Sequence, residues 1–352
     1  MTEVSAGKYW GLRRLADDNG VFKIITVDQR PAIKDIIAEK RGVEEAPFDD
    51  VVSVKKALVE TLADKGSASV VDPHYAYPTA FKSLSPRRGL LISLEDSVFA
   101  ETPDGRLSKE IDDWSVEKIK RVGADGVKVL VWYRPDANAN VLENQRAFIR
   151  RVGEACAKYD LPFVVKALVY SFPEATVDYF QHPDVATEHV METVSEFAKP
   201  EYRIDLSILQ SPIIPRLIPA PDSDDNAAVE ACRQTFRDMA DRAGRPWIIS
   251  SGGSDPVSYR HILDYALDAG ASGYLAGRAT WWTMFSAFPN MPAMINALED
   301  ESAPYLAELA AAADARAKPW TTHDAFMPSG PELAGLKHQD FRGAYSEFEE
   351  DA

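Results

Sequence analysis

Two lysines stand in the middle of apolar runs, and they are the residues of this 352-residue sequence with the clearest chemical potential. Lys128 lies in Gly-Val-Lys-Val-Leu-Val, and Lys166 lies in Phe-Val-Val-Lys-Ala-Leu-Val. A lysine in a buried strand is costly unless a carboxylate pairs with it or the protein uses its reactivity. Burial and a neighbouring cation both lower a lysine pKa, which makes the neutral amine available as a nucleophile. The two residues therefore predict amine chemistry, with pairing to a buried carboxylate such as Asp28 or Glu95 as the alternative.

The elements that must position these amines are eight short β-rich runs, which alternate with amphipathic helical stretches. The runs are Phe22–Val27, Ala68–Val71, Gly89–Leu94, Gly126–Trp132, Phe163–Tyr170, Asp205–Gln210, Trp247–Ile249 and Gly273–Leu275. Apolar strands separated by helices are typical of a parallel sheet buried on both faces. The pattern predicts an α/β fold, a closed (β/α)8 TIM barrel. An open doubly wound sheet is the competing fold, but the glycine-rich turn it needs after the first strand is missing.

The barrel pattern covers residues 1–320, which we expect to form a single domain with a lead-in helix at its start. Residues 321–352 lose the pattern, carry the linker signal Pro-Ser-Gly-Pro at 328–331 and end in an acidic stretch at 347–351. This C-terminal extension is either a strap over the barrel or disordered. The segment between the second and third strands is short, which predicts a one-turn or irregular helix there.

Barrel enzymes carry their working groups at the C-terminal ends of the strands, so the polar residues at those ends form the candidate site. Besides the two lysines they are Asp28, Gln29, Asp72, His74, Glu95, Gln210, Ser250, Ser251, Gly252, Gly253, Gly277 and Arg278. Side chains alternate along a strand, so Lys128 and Lys166 can both face the barrel interior. On neighbouring strands their backbones would then lie about 5 Å apart.

The turns after the seventh and eighth strands predict an anion site, because backbone N–H groups of glycine-bearing turns can approach a phosphate closely. The residues concerned are Ser251, Gly252, Gly253, Gly277 and Arg278. The Arg278 guanidinium can add a bidentate contact. A second anion site would need loop cations, for example Arg30, Arg134 or Arg216.

Composition argues against several other functions. The chain has 55 acidic and 39 basic residues and a formal net charge of -16, so we expect neither nucleic acid nor a membrane surface as a partner. Cys156 and Cys232 have neither disulfide nor zinc spacing. A signal peptide and a long apolar span are both missing, which predicts a cytoplasmic protein. His74 has no second strand-end histidine, so we expect no metal and no cofactor.

The other histidines and a pair of tryptophans are interpreted as structural or surface residues. We expect Trp281 and Trp282 to pack on the helix after the eighth strand. Surface positions are expected for His182, His189, His261, His323 and His338. The sequence leaves the oligomeric state open, and a homo-oligomer is compatible with it.

Five groups of residues follow one another along the chain. They are Val-Asp-Gln-Arg at the first strand, Val-Val-Asp-Pro at the second, Asp-Trp-Ser-Val before Gly-Ala-Asp-Gly-Val-Lys at the fourth, Ser-Gly-Gly after the seventh and Leu-Ala-Gly-Arg-Ala-Thr-Trp at the eighth. As a set, these motifs resemble the class I tagatose-1,6-bisphosphate aldolases and the related sulfofructosephosphate aldolases. The resemblance implies that Asp28 and Gln29 face a substrate and that Lys128 is an active-site cation. It also implies that Gly277 and Arg278 bind a phosphate.

Two positions depart from the pattern that the resemblance implies. The family carries a proton-shuttling glutamate on the fifth strand, where this chain has Lys166. The family's Schiff-base lysine lies on the sixth strand in Asp-Leu-x-Lys-x-Glu-x-Pro. This chain reads Asp-Leu-Ser-Ile-Leu-Gln-Ser-Pro there, so Ile208 stands at the lysine position and Gln210 at that of the second glutamate. An isoleucine cannot form an imine.

The residues and the resemblance together favour an aldolase-like lyase in which the amine has moved to Lys166, or failing that Lys128. Its reaction would be reversible carbon–carbon cleavage of a phosphorylated or similarly anionic ketose through a Schiff base, with a proton relay through Asp28 or Glu95. A second interpretation is a phosphosugar isomerase, epimerase or lyase that works without an imine. A third is a non-catalytic sugar-phosphate-binding protein.

Overall fold

The central feature of the fold is a closed barrel of parallel strands. A computed structural model describes residues 3–97, 100–171, 182–334 and 341–345. The barrel strands β1 to β8 are Phe22–Thr26, Ala68–Val71, Gly89–Ser93, Gly126–Trp132, Phe163–Leu168, Leu206–Leu209, Trp247–Ser250 and Gly273–Ala276. Each strand pairs with the next along the chain, and β8 pairs with β1. The predicted (β/α)8 fold is confirmed, and the strand positions agree with the apolar runs to within one or two residues.

Helices cover the outside of the barrel. Helices α1 to α12 are Ala6–Leu15, Pro31–Arg41, Phe48–Leu62, Ala76–Ala80, Val116–Arg121, Ala139–Lys158, Pro183–Phe197, Asn226–Ala243, Pro256–Asp268, Arg278–Trp281, Met291–Ala297 and Ala303–Arg316. Side-chain N-caps explain where α5, α8 and α9 begin, at Ser115, Asp225 and Asp255. The short segment between β2 and β3 holds only α4 and a 3₁₀ turn, as its length predicts. Across the described ranges, none of the helices has both the length and the apolar character to cross a bilayer.

Alternation divides each barrel strand into two faces. The inward face contributes an apolar cluster that fills the barrel below the mouth, and it includes Ile24, Val70, Leu91, Val164, Leu206, Ile208, Ile248 and Leu275. The outward face packs against the helices in a second, larger cluster. Because both faces are buried, a polar side chain that interrupts the inward row has to be compensated within the barrel.

The base of the barrel, opposite the mouth, is closed by both ends of the chain. Trp320 is 1% exposed, and its ring lies 5.6 Å from that of Tyr9 and 5.9 Å from that of Phe326. The N-terminal strand Glu3–Val4 pairs in parallel with Glu332–Leu333. Residues 321–334 of the extension therefore pack across the base, whereas the acidic stretch 347–351 lies outside the described residues.

The histidine expectations are partly wrong. His189 and His323 are each only 9% exposed, because one lies on the inner face of α7 and the other packs under the base. His182 is exposed and His261 is half-buried. His338 lies outside the described residues. Burial of a histidine on an amphipathic helix depends on which side the barrel contacts, and the residue type alone does not reveal it.

Candidate active site

The C-terminal ends of the strands surround a cavity of about 280 Å³ at the barrel mouth. Side chains from six strand ends line it, and the predicted site residues among them are Asp28, Gln29, Glu95, Lys128, Lys166, Ser251, Gly253, Gly277 and Arg278. The inward direction predicted for both lysines is confirmed, since Leu130 and Leu168, two residues further along each strand, line the same cavity. The fold thus brings most of the predicted residues into one place.

Two predicted substrate-binding residues do not line this cavity. The Gln210 Oε1 atom accepts a hydrogen bond from the Val169 backbone N–H at 2.9 Å, and the side chain lines a small space beneath α7. Gly252 is exposed at the outside of its turn, with φ of +59°. Gln210 therefore bridges two strand ends, and Gly252 shapes the turn whose neighbours reach the cavity.

Asp72 and His74 at the end of β2 also lie outside the cavity. Asp72 is fully buried, pairs with Lys55 of α3, and accepts the backbone N–H groups of His74 and Tyr75 at 3.0 and 2.8 Å. His74 itself is exposed. In the ranges that the structure covers, no group of three or more His, Cys, Asp or Glu side chains is placed to hold a metal ion.

Lys128 is the centre of a buried ion cluster. Its Nζ atom donates to Asp28 Oδ2 at 2.7 Å and to Glu95 Oε1 at 2.8 Å, and all three residues are at most 6% exposed. Burial alone would lower the pKa of Lys128, but the two carboxylates outweigh it and raise this pKa. The pairing with carboxylates that the sequence left open is thus realised for Lys128, which remains a fixed cation.

Lys166 has a different environment on the neighbouring strand. It is half-buried in the cavity, and no described residue forms a hydrogen bond or an ion pair with its amine. Burial, and then the positive charges of Lys128 and Arg278, lower the pKa of Lys166 to about 8. Asp28 and Glu95 act in the opposite direction but do not prevent the shift. A substantial fraction of this amine is therefore neutral near physiological pH.

The spacing predicted for the two amines is wrong in one respect. The strands are neighbours, as expected, but Lys128 pairs with Val164, whereas Lys166 pairs with Leu130. The two lysines are therefore diagonal rather than opposite, and Lys166 lies one inward layer nearer the mouth. On the other side of β5, Lys166 pairs directly with Ile208 of β6.

The turns after β7 and β8 meet at one side of the cavity. Gly253 has φ of +87°, and a Cβ atom there would lie 2.5 Å from Arg278 Nη2, so only glycine lets the guanidinium rest against this turn. A Cβ atom on Gly277 would lie 2.9 Å from Thr26 Cγ2. The close approach of backbone, glycine and guanidinium is the arrangement expected of an anion site.

Three further polar residues complete the site. The sequence patterns did not predict two of them, and the third was expected only as a loop cation. Thr26 and Ser93 donate hydrogen bonds to the two oxygens of Asp28. Arg30 is 4% exposed, lines the cavity, and donates from Nη2 to the Glu95 backbone carbonyl at 2.8 Å. Period-2 alternation offered a signal for two of them, since Thr26 precedes Asp28 and Ser93 precedes Glu95 by two residues.

The cavity is more cationic than the chain that encloses it. Four of its lining residues are basic and three are acidic, namely Arg30, Lys128, Lys166 and Arg278 against Asp28, Glu95 and Asp96. The whole chain, by contrast, has a net charge of -16. A barrel whose mouth combines an amine without a described partner, a buried ion cluster and a glycine–arginine turn has the features of a (β/α)8-barrel enzyme, with this mouth as the candidate active site.

Comparison with known proteins agrees with this class. Residues 22–283 match the family model described as DeoC/LacD family aldolase. The chain is 31% identical over 286 residues to tagatose 1,6-diphosphate aldolase 2 of Enterococcus faecalis, covering 80% of this chain and 85% of the relative. It is 32% identical over 285 residues to the tagatose 1,6-diphosphate aldolase of Listeria monocytogenes, covering 80% and 83%. The chain belongs to the DeoC/LacD aldolase family and is an aldolase-like lyase.

Solved structures of other aldolases share the fold at low sequence identity. An archaeal fructose 1,6-bisphosphate aldolase is 17% identical, with a TM-score of 0.51, and the match covers 82% of this chain and 97% of that one. The fructose-bisphosphate aldolase of Plasmodium falciparum is 11% identical, with a TM-score of 0.64, and the match covers 90% and 97%. These likenesses support the barrel architecture.

Proposed function

We propose that this aldolase-like lyase reversibly cleaves a carbon–carbon bond of a phosphorylated ketose through a Schiff base on Lys166. The observation that carries the proposal is the pairing of Lys166 with Ile208, the position at which the resemblance places the family's lysine. The amine is absent from β6 and present in the same inward layer of β5. It is also the cavity amine that lacks a carboxylate partner and has a pKa lowered to about 8.

The distance between neighbouring strands makes this relocation chemically reasonable. Paired residues on adjacent parallel strands lie about 5 Å apart, and a lysine side chain is longer than that. The amine of Lys166 can therefore reach a substrate carbonyl that a lysine at position 208 would reach. The two lysines then have separate roles. Lys128 stays protonated between two carboxylates, and its charge helps to keep Lys166 neutral and nucleophilic.

The charge of the cavity supports an anionic substrate. In a chain with a large negative net charge, a phosphorylated sugar needs locally placed cations, and Arg278 beside the Gly253 turn supplies one. The relatives in Enterococcus and Listeria are named for tagatose 1,6-diphosphate. We therefore propose a ketose phosphate or bisphosphate of this kind as the substrate class, with one phosphate against the β7 and β8 turns.

The experiment that tests the proposal is reductive trapping. The enzyme is incubated with tagatose 1,6-bisphosphate, reduced with borohydride, digested and analysed by peptide mass mapping. We expect the reduced adduct on the peptide that contains Lys166. Lys166→Met should abolish the adduct and lower kcat/KM by at least ~10³-fold, because no other amine among the described residues of the cavity has a lowered pKa.

Lys40→Met is the matched control, because Lys40 is an exposed lysine at the end of α2. It should leave both the adduct and turnover unchanged. An adduct on Lys128 would move the nucleophile to the ion cluster and contradict the assignment. Turnover that survives borohydride, with no adduct on any lysine, would show that the chemistry proceeds without an imine.

A further inference from the structure

The proposed Schiff base creates a need for a second catalytic group, and this inference rests on that proposal. In an aldol cleavage, one group must take the proton of the substrate hydroxyl and later return a proton to carbon. The resemblance implies a glutamate on the fifth strand for that task, but the corresponding residue here is Lys166. Another side chain at the cavity has to carry the proton.

Asp28 is poorly suited to this role. Its two carboxylate oxygens accept hydrogen bonds from Thr26, from Ser93 at 2.7 Å and from Lys128 at 2.7 Å. Burial favours the neutral acid, yet Lys128 and these hydroxyls outweigh it and hold the pKa of Asp28 far below its usual range. A carboxylate that is so strongly stabilised is a weak base, and it has little capacity left for a substrate proton.

Glu95 has the free oxygen that Asp28 lacks. Its Oε1 atom accepts from Lys128 at 2.8 Å and lies 3.5 Å from Arg30 Nη2, whereas its Oε2 atom has no hydrogen-bond partner among the described residues and is shielded from solvent. A buried carboxylate oxygen without a donor is unusual and costs stability, so a functional reason for its presence is expected. Glu95 also lines the same cavity as Lys166.

Neighbouring residues hold both the main chain of Glu95 and its Oε1 atom. Arg30 donates to the Glu95 carbonyl at 2.8 Å, and the residue forms an antiparallel bridge with Glu110 beyond the end of β3. Lys128 and Arg30 both lie against Oε1, so Oε2 is the carboxylate oxygen left to accept a proton once a bound substrate brings its hydroxyl to it. Such a preorganised group is what proton transfer to a bound substrate requires.

We propose that Glu95, through Oε2, is the catalytic base and acid of this enzyme. After Lys166 has attacked the ketone and water has left, the iminium withdraws electrons from the adjoining bonds. Oε2 takes the proton of the hydroxyl β to the iminium carbon, and the O–H electron pair becomes the carbonyl of the departing aldehyde. The electrons of the broken carbon–carbon bond form an enamine. Glu95 returns its proton to the enamine carbon, and water releases the second product from Lys166.

The test separates proton transfer from imine formation. Glu95→Gln keeps the shape of the side chain but removes the base. We expect kcat to fall by ~10²–10⁴-fold, while borohydride still fixes tagatose 1,6-bisphosphate to Lys166. Solvent deuterium should also no longer enter the ketone product at the carbon that bears the transferred proton. Asp112→Asn is the matched control, since the Asp112 side chain is 86% exposed, and it should retain normal turnover.

Two further variants keep the inference testable if the glutamine variant folds poorly. Glu95→Asp should retain the ion pair with Lys128 and show an intermediate kcat, and formate should restore part of the activity of Glu95→Ala. Turnover of Glu95→Gln within threefold of wild type would overturn the inference. Loss of the Lys166 adduct in that variant would also overturn it, because Glu95 would then serve to position Lys128. No adduct in the wild-type enzyme would instead refute the proposed Schiff base.

Discussion

At the scale of single residues, two lysines of the same type and direction acquire opposite properties. Lys128 lies between two carboxylates, which raise its pKa, whereas Lys166 lies beyond their hydrogen-bonding reach. For Lys166, burial and the charge of Lys128 lower the pKa to about 8. The ion cluster therefore does more than compensate a buried charge. It keeps Lys128 protonated, and the Lys128 charge lowers the pKa of Lys166, although the Asp28 and Glu95 carboxylates oppose this shift.

The pH dependence of catalysis should report this arrangement. If Lys166 is the nucleophile, its neutral fraction falls about tenfold per unit of pH well below its pKa of about 8, so kcat/KM should rise in that proportion and level off above about pH 8. Lys128→Met removes a cation and leaves Asp28 and Glu95 unpaired, so the Lys166 ammonium becomes more stable. The rising limb should then move to higher pH by about one unit or more.

Initial rates of ketose bisphosphate cleavage from about pH 6 to about pH 10 measure both profiles. A profile that stays flat across this range, or one that moves to lower pH in Lys128→Met, would contradict the role assigned to the ion cluster. Lys40→Met, which changes an exposed lysine, should reproduce the wild-type profile.

At the scale of elements, the register of β5 against β6 decides which positions are equivalent. Lys166 and Ile208 are paired residues of adjacent strands and point into the same layer of the barrel. Both strands are held in register by inward apolar neighbours such as Val164 and Leu206. We therefore expect that an amine can be exchanged between these two positions without a change in the backbone.

A double substitution tests this equivalence. Lys166→Glu combined with Ile208→Lys restores the pair of residues that the resemblance implies for strands five and six. We expect the trapped adduct to move to position 208 and kcat/KM to remain within ~10²-fold of wild type, the typical cost of a misplacement of about 1 Å. Lys166→Glu alone should show no adduct. An inactive double variant that is correctly folded by circular dichroism would show that the two positions are not interchangeable.

At the scale of the whole molecule, the two ends of the barrel have different tasks. The mouth holds the amines and the ion cluster, whereas the base is closed by Trp320, Phe326 and the pairing of Glu3–Val4 with Glu332–Leu333. Separation of a catalytic face from a stabilising face is usual in this architecture. The base should therefore influence stability without influencing the chemistry.

Trp320→Ala should show that separation. Removal of a fully buried indole costs about 3–5 kcal/mol of folding free energy, so the thermal and urea midpoints should both fall. The KM and the trapped fraction on Lys166, measured well below the new midpoint, should stay unchanged. Trp10→Ala is the control, since Trp10 is 61% exposed, and it should leave both midpoints near the wild-type values. A changed KM in Trp320→Ala would indicate coupling between base and mouth.

Local sequence patterns predicted many of the residues that line the cavity. Alternation within apolar runs, with polar residues at the strand ends, was sufficient to identify Asp28, Glu95, both lysines and the β7 and β8 turns. The same reasoning failed for Gln210, which follows the inward residue Ile208 by two positions but bonds to the Val169 backbone. Gln210 lies beyond the last paired residue of β6. At such a position the alternation of inward and outward side chains need not continue, so the direction of the side chain depends on contacts with the neighbouring strand end.

By itself, the sequence determined the eight strands, the barrel they form and the strand face that each lysine shares with its neighbours, because period and burial are local properties of a chain. Only the tertiary structure decided which lysine is paired and which is free. The stagger between strands places Lys128 level with Ser93 and Lys166 one layer higher. Asp28 and Glu95 arrive from strands far away in sequence. Lys128 meets these carboxylates only when the barrel closes, and closure depends on all eight strands together.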